Sequence, residues 1–178
     1  GPATLLRPLM WFDRIDPRDP LQLTDGVYGV LSRYYFQNNT NIWFWILYGN
    51  ETKGWEVLPS SKKYPELGGR IQFPLPGGEL GFSFHHRKTG PDSMILFDDM
   101  VEWKEMYQDR YALDGKWDVG PGIWFEYVIK HQKYNLDASP RWQQYLNLGA
   151  DYTFLLGNGL HLGTEHFIMQ GSEDFQFR

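Results

Sequence analysis

The side chains with the best spacing for covalent chemistry are Glu79, Ser83 and His85, which occupy alternate positions of one segment. Alternate residues of a strand share a face, so Ser83 and His85 would lie about 7 Å apart along it. A serine hydrolase needs its hydroxyl within hydrogen-bond reach of a base that a third group orients. Such residues are also common on polar strand faces, and the sequence has no Gly-x-Ser-x-Gly elbow. We therefore predict no enzyme, and a small-barrel lipid hydrolase is a minor alternative.

Metal-ligating residues do not form a set that predicts a site. His85 and His86 would point to opposite faces of a strand, which disfavours their joint use. His161 and Glu165 would share a face, but the sequence offers no third ligand. The carboxylates at 98–99 could hold calcium, yet such pairs are far more often solvated. With no cysteine and no phosphate-binding glycine loop, we predict no metal and no cofactor.

Composition narrows the class of protein. A chain of 178 residues suffices for one domain, and a net charge of -5 argues against binding nucleic acid. The aromatic fraction of 17% is high, and Trp and Tyr favour the boundary between membrane and water. The sequence contains no apolar run of the ~18 residues that a transmembrane helix requires. It also begins without a signal peptide, which predicts a mature or trimmed chain if the protein is exported.

The strongest structural signal is the two-residue alternation of apolar and polar side chains. From Leu113 to Ile129 it continues for seventeen residues, which predicts one long strand with an apolar face and a polar face. Such a strand exceeds the ~9–11 residues that cross a bilayer at a tilt. The two faces of this strand are therefore expected to contact two different environments, one apolar and one polar.

The same alternation predicts hairpins elsewhere in the chain. The segments 26–37 and 41–50 would pair across a polar turn, and the segment 67–87 would form a hairpin around the link 74–78. A third hairpin joins 141–156 to 160–170 through Gly157–Gly159. Together with the strand 113–129 these segments make seven strands, and an eighth is predicted near Phe175.

Two stretches lack this alternation. Residues 1–24 form a proline-punctuated leader or loop, followed by a single domain of strands and loops over 25–178. Between Lys88 and Arg110 the periodicity lapses, and residues 100–108 are predicted to form a helical turn or two within a long connection.

The segments 16–21, 24–27, 33–35 and 113–118 and the hairpin turn 157–159 resemble the porin-like outer-membrane β-barrel proteins of Gram-negative bacteria. The resemblance covers roughly residues 9–170 and lies in strand-and-turn pattern, without a catalytic signature. It implies an all-β, antiparallel, up-and-down transmembrane β-barrel in the bacterial outer membrane. In larger members a similar Asp-Pro-rich loop lies inside the barrel sequence, which implies a longer protein of twelve or more strands.

If the apolar faces meet lipid, the polar faces line a lumen. The residues predicted to face the lumen are Arg33, Arg70, Glu79, Arg87, Asp114, Lys116, Asp118, Glu126, Lys130, Asp151 and Glu165. Those predicted to face lipid are Ile71, Phe73, Leu80, Phe82, Phe84, Val119, Ile123, Phe125, Tyr127, Leu146, Leu148, Tyr152 and Phe154. The lumen charges could form a salt-bridged plug, or they could line a pore that selects solutes by charge.

The predicted function is a porin-like channel for small solutes or the membrane scaffold of a larger assembly, with membrane lipid and small solutes as partners. A homo-oligomer or a membrane complex is compatible with either role. The alternative is a soluble β-sandwich or lipocalin-like barrel that binds a carbohydrate or an apolar ligand. That alternative would use the indoles of Trp43, Trp45, Trp55 and Trp124.

Overall fold

The computed structural model describes residues 28–50, 59–90, 92–96, 99–103, 105–133 and 140–172. The predicted leader over 1–24 and the predicted strand near Phe175 lie outside them. The described residues form ten strands and no helix. The strands are β1 (Gly29–Tyr35), β2 (Asn41–Leu47), β3 (Glu66–Leu75), β4 (Gly78–Lys88), β5 (Asp92–Leu96), β6 (Asp99–Trp103), β7 (Tyr107–Asp118), β8 (Gly122–Gln132), β9 (Trp142–Phe154) and β10 (Leu160–Ser172).

Eight of these strands form one antiparallel sheet in the order β1-β2-β3-β4-β7-β8-β9-β10. Each strand is hydrogen-bonded to its neighbours in the chain, except that β5 and β6 form a separate two-stranded ribbon between β4 and β7. The predicted all-β, antiparallel, up-and-down arrangement is therefore confirmed. The short connections 36–40, 76–77, 119–121 and 155–159 lie at one end of the sheet, which we call the turn end. The longer ones lie at the other, the loop end.

The prediction of one strand from Leu113 to Ile129 is wrong. The segment contains the end of β7 and most of β8, which pair with each other from Gln108↔Gln132 to Asp118↔Gly122. The chain reverses at 119–121, where Gly120 has a φ of 109° that favours glycine. Two strands therefore stand where the sequence predicted one, and the eight-stranded count is reached without Phe175.

The helical turn predicted at 100–108 is also wrong. Residues up to Trp103 belong to β6, and β7 begins at Tyr107. Pairing with β4 and β8 extends β7 well before Leu113, since Lys88 is opposite Tyr107 and His131 is opposite Asp109. Ladder hydrogen bonds on both sides therefore set the conformation of this segment, and they outweigh its weak local pattern.

The eight strands that the structure describes form an open sheet with β1 and β10 at its edges, and they do not close into a barrel. The two edges differ in length, because β1 has 7 residues and β10 has 13. No helix among the described residues is long and apolar enough to cross a membrane.

Candidate functional site

The candidate site is one face of the eight-stranded sheet, which we call the polar face. Its residues follow the ladder from strand to strand, as in the row Gln72, Gly81, Asp114, Glu126 and Asn147. In the central strands most side chains of this face are buried although many are polar or charged, and Gln72 and Asp114 are half-buried. Substantial contacts between the described strands of this sheet are those of ladder neighbours. The burial therefore indicates that the sheet curves around its polar face and that the long polar side chains cover one another.

The charges on the polar face are segregated along the strand direction. The described charged residues of the half nearer the turn end, which we call the acidic half, are six carboxylates and one lysine: Glu79, Asp114, Asp118, Glu126, Asp151, Glu165 and Lys116. Those of the half nearer the loop end, which we call the basic half, are five cations and one carboxylate: Arg33, Arg70, Arg87, Arg110, Lys130 and Glu66. All eleven residues predicted to face a lumen lie on this one face.

The basic half is filled by a hydrogen-bonded network. Arg87 and Arg110 are both 0% exposed, and their guanidinium groups donate to the same oxygen, Oε1 of Gln108. The donor–acceptor distances are 2.7 Å from Arg87 Nε and 2.6 Å from Arg110 Nη2. Arg87 Nη1 also donates to Ser60 Oγ at 3.0 Å, and Gln108 Nε2 donates to Gln132 Oε1 at 3.3 Å. Buried cations are tolerated when hydrogen bonds satisfy them, and this network has that property.

His85 has polar partners on both of its ring nitrogens. Its Nδ1 accepts from Trp45 Nε1 at 3.0 Å, and its Nε2 lies 3.0 Å from Glu66 Oε2. Ser83 Oγ accepts from Arg70 Nη1 at 2.9 Å. The hydroxyl and the imidazole that suggested a hydrolase are thus engaged with other groups, and this geometry does not favour catalysis by Ser83.

Arg70 joins the two halves of the polar face. Its two terminal nitrogens donate to the two carboxylate oxygens of Asp114, at 2.5 and 2.8 Å. Both side chains are largely buried. Two parallel bonds in this fork arrangement are stronger than neutral hydrogen bonds and fix the orientation of both groups. Next to this pair, Gln72 donates to Glu79 across the β3–β4 hairpin.

The acidic half contains buried polar atoms that have no partner within the described part of the chain. Asn147 is 2% exposed, and its Nδ2 donates to Glu165 Oε1 at 2.7 Å, but its Oδ1 accepts no hydrogen bond from the described residues. Trp124 is 6% exposed, and its indole N–H likewise lacks an acceptor there. Buried polar atoms are normally satisfied by protein or by ordered water, so these two atoms require a partner beyond the described residues.

Two glycines allow the tryptophans to lie flat on the polar face. A Cβ at Gly68 would lie 2.2 Å from the Trp45 ring, and one at Gly149 would lie 2.0 Å from the Trp124 ring. Each glycine is the ladder partner of the tryptophan that covers it. The missing side chains therefore create the space in which the two indoles pack against the neighbouring strand.

Beyond the strands at the loop end, Lys88 and Glu105 form an ion pair with an Nζ–Oε2 distance of 2.8 Å. The hydrogen bond from the Lys88 ammonium holds the pKa of the Glu105 carboxyl below its usual range. Ser61 Oγ donates to the other Glu105 oxygen at 3.1 Å, and the Lys88 ammonium lies 3.6 Å from the ring centroid of Tyr64. These contacts hold the segment 60–64 against the beginning of β7.

The opposite face of the sheet, which we call the apolar face, is exposed. Phe82 is 46% exposed on it, and its ladder partners are Ile71 on β3 and Leu113 on β7. The residues predicted to face lipid are all exposed or half-buried. Val119 lies in the β7–β8 turn. The other predicted residues lie in strands, on this face: Ile71, Phe73, Leu80, Phe82, Phe84, Ile123, Phe125, Tyr127, Leu146, Leu148, Tyr152 and Phe154.

Amphipathic aromatic side chains mark both ends of the apolar face. At the loop end the rings of His131 and Trp142 are 4.2 Å apart, and His86 stacks on Tyr107 at 5.4 Å. At the turn end Trp117 stacks on Phe125 at 6.0 Å, and Tyr152 packs against Phe154. Between these ends the face is almost entirely aliphatic or aromatic.

Sequence reasoning missed Glu66, Arg110 and Gln108 as members of the polar face. Extending the alternation back from Asp114 through Ala112 finds Arg110 and Gln108, which was the available signal. Glu66 directly precedes the predicted strand.

Among the described residues, no group of three His, Asp or Glu side chains could hold a metal ion. His161 Nδ1 lies 3.0 Å from Thr153 Oγ1, and Glu165 accepts from Asn147. His86 lies on the opposite face from His85 and contacts Asp109 at 2.6 Å. Asp98 lies outside the described residues.

No protein-family model, curated protein or solved structure matches this chain. The resemblance to porin-like proteins therefore stays a prediction from the sequence pattern.

Proposed function

We propose that this sheet is the wall of a bacterial outer-membrane β-barrel, a porin-like protein whose apolar face contacts lipid and whose polar face lines the interior. The observation that carries the proposal is the inverted burial of the two faces. Arg87 and Arg110 are completely buried, whereas Phe82 and Phe84 on the same sheet are exposed. In water this arrangement is unfavourable, because the exposed apolar face is far more extensive than monomeric soluble proteins tolerate.

The dimensions of the apolar face support a membrane. On β7 the face extends from Asp109, at the level of the His86 and His131 rings, to Trp117. That distance is about 27 Å along the strand at ~3.4 Å per residue, and about 20 Å along the normal at a ~40° tilt. A transmembrane barrel has an apolar band of ~25 Å flanked by aromatic girdles. Trp142 and Tyr107 at one end, with Trp117 and Tyr152 at the other, are suited to that role.

The interior supports restricted passage of solutes. In the basic half, the shared contact of Arg87 and Arg110 with Gln108 fills the space over the central strands. In the acidic half, Asp118 is exposed and Lys116 is half-exposed. We therefore propose a barrel that admits small solutes from the turn end and is constricted toward the loop end. A membrane scaffold with a closed interior is the second outcome that this geometry permits.

The proposal requires that both sheet edges are paired in the membrane. Lipid offers no hydrogen bonds, so free backbone groups on β1 and β10 would cost several kcal/mol each. These edges must therefore pair with each other or with further strands. A disulfide test distinguishes the two cases: cysteines at Ser32 and Thr164 form an intramolecular bond only if the edges can meet.

The soluble lipocalin-like alternative receives less support from the geometry. A lipocalin encloses its ligand with an apolar interior and presents polar residues to water. Here Trp45 and Trp124 lie on the polar face among buried charges, and Trp43 has the Arg33 guanidinium 4.1 Å from its ring centroid. Trp55 lies outside the described residues.

Refolding in different media tests the proposal. The chain, unfolded in urea, is diluted into buffer, into dodecylmaltoside micelles and into phosphatidylcholine vesicles, and β-structure is followed by circular dichroism. We expect a protease-resistant β-sheet in micelles and vesicles and aggregation in buffer. A monodisperse, folded protein in detergent-free buffer would refute the membrane proposal. For the folded protein, single-channel conductance in a planar bilayer then separates a channel from a closed scaffold.

A further inference from the structure

We infer that the acidic half of the polar face binds a small hydroxylated organic cation, of the class to which amino sugars belong. This inference rests on the proposed function, since it names the class of solute that the barrel interior would accept. The proposed site is formed by Trp124 on β8, Asn147 on β9 and Glu165 on β10, with Glu126 beside them.

The charge of the site selects a cation. Glu126 and Asn147 are ladder partners, and Glu165 is the partner of Gly149 in the adjacent row toward the turn end. Asp151 and Asp118 continue the negative charge to the mouth of the face. Among the described residues of this half, Lys116 is the one lysine or arginine; it is the ladder partner of Trp124, and its Nζ lies 3.9 Å from Asp118 Oδ2. The Arg70 guanidinium, which lies toward the basic half, is neutralised by its two bonds to Asp114. A positively charged solute is therefore attracted at the turn end and repelled farther in.

The unpartnered atoms provide the hydrogen-bonding groups of the site. Asn147 Oδ1 is an acceptor and the Trp124 indole N–H is a donor, and both are more than nine-tenths buried without a partner among the described residues. An ammonium group can donate to Asn147 Oδ1 and to the Glu165 carboxylate. A hydroxyl oxygen can accept from the Trp124 indole. A solute that carries both groups satisfies every one of these atoms, whereas a bare metal ion would leave the indole N–H unsatisfied.

The acidic half of the polar face opens toward the turn end, and a solute must displace the side chains that bury Asn147 and Trp124 in order to reach them. Exposure of the polar face increases toward the turn end, from buried Glu126 to half-buried Asp151 and exposed Asp118, which share the ladder row of Gly122. Toward the loop end the network around Arg70 and Arg110 fills the face. A solute would therefore enter from the turn end and stop at the level of Asn147.

Isothermal titration of the protein folded in micelles tests this inference, with glucosamine hydrochloride, glucose and gluconate as matched cationic, neutral and anionic probes. We expect glucosamine to bind at least about tenfold more tightly than glucose, and gluconate not to bind. Asn147→Leu and Trp124→Phe should each weaken glucosamine binding about tenfold, because each removes one buried hydrogen-bonding atom. Trp142→Phe, on the apolar face, is the control and should bind as the wild type does.

Equal binding of glucosamine and glucose, no binding of either, or unchanged affinity in both site variants would overturn the inference. If Asn147→Leu does not fold, Glu165→Gln replaces it, since that change keeps the shape of the side chain and removes its charge. A protein that folds in buffer alone would refute the membrane proposal but leave the binding site testable in the same titration. The two failures are therefore distinguishable.

Discussion

Placing a charge at the centre of the apolar face should test which medium that face contacts. We choose Phe82→Arg, because Phe82 lies in the middle of β4 with Ile71 and Leu113 as its ladder neighbours. The matched control is Gln72→Arg, which places the same side chain in the same hairpin but on the polar face, where Gln72 contacts Glu79.

The expected cost follows from the exposure of Phe82. It is 46% exposed, and a phenylalanine side chain carries roughly 200 Å² of surface, so roughly 90 Å² would meet lipid. Losing that contact costs about 2 kcal/mol at ~25 cal/mol per Å². An arginine near the bilayer midplane adds about 2–4 kcal/mol. We therefore expect Phe82→Arg to destabilise the protein by about 4–6 kcal/mol, Phe82→Ala by about 2 kcal/mol, and Gln72→Arg by under about 1 kcal/mol.

The assay is reversible urea unfolding in phosphatidylcholine vesicles, monitored by tryptophan fluorescence. The free energies of unfolding are compared only between variants for which the dependence of free energy on urea concentration has the same slope. If the apolar face were solvated, an arginine there would be as harmless as most surface substitutions, within about 0.5 kcal/mol. A value that small for Phe82→Arg, or a larger cost for Gln72→Arg, would refute the assignment of the two faces.

Three further substitutions test the internal architecture in the same assay. Asp114→Asn leaves the buried Arg70 guanidinium without the carboxylate that it contacts, and it should lower the free energy of unfolding by about 3–5 kcal/mol. Adding Arg70→Met to this variant should restore most of that loss. An unchanged urea midpoint for Asp114→Asn would contradict the pairing. Gly68→Ala places a Cβ 2.2 Å from the facing indole and should cost about 1–3 kcal/mol, whereas Gly163→Ala, whose nearest neighbour is at 3.7 Å, should change stability by under about 0.5 kcal/mol. Asn39 has a φ of 62°, so Asn39→Ala should cost about 1–2 kcal/mol and Asn39→Gly almost nothing; equal costs would exclude backbone strain as the cause.

The sequence was sufficient to assign side chains to faces, but not to locate the ends of strands. The turn at 119–121 contains an odd number of residues, and the paired positions on either side of it, Asp118 and Gly122, both lie on the polar face. The alternation therefore continues through the turn without interruption, which is why one strand was predicted where there are two. The available signal was the Gly120–Gly122 segment with its central proline, a typical chain reversal.

Contacts between distant segments could not be predicted. Arg87 on β4 is hydrogen-bonded to Ser60, which precedes β3, and Lys88 forms an ion pair with Glu105 beyond the β5–β6 ribbon. No sequence periodicity relates these residues, because the distance between them in space depends on the path of the long connections at the loop end. The engagement of His85 by Trp45 and Glu66 has the same origin, since it requires the register of three strands.

The register of the sheet and the medium around it are linked by the same pattern. Moving β8 by one residue against β7 would transfer Glu126 and Lys130 to the apolar face and place Phe125 and Tyr127 among the buried charges. Each long strand carries a similar alternation, so the observed register is the one that keeps Glu126, Lys130 and most other charged side chains of the strands on the polar face. That register leaves a continuous apolar surface on the other side, which water disfavours and hydrocarbon does not. Under the proposed function, lipid on the apolar face is therefore the medium that favours this register most strongly.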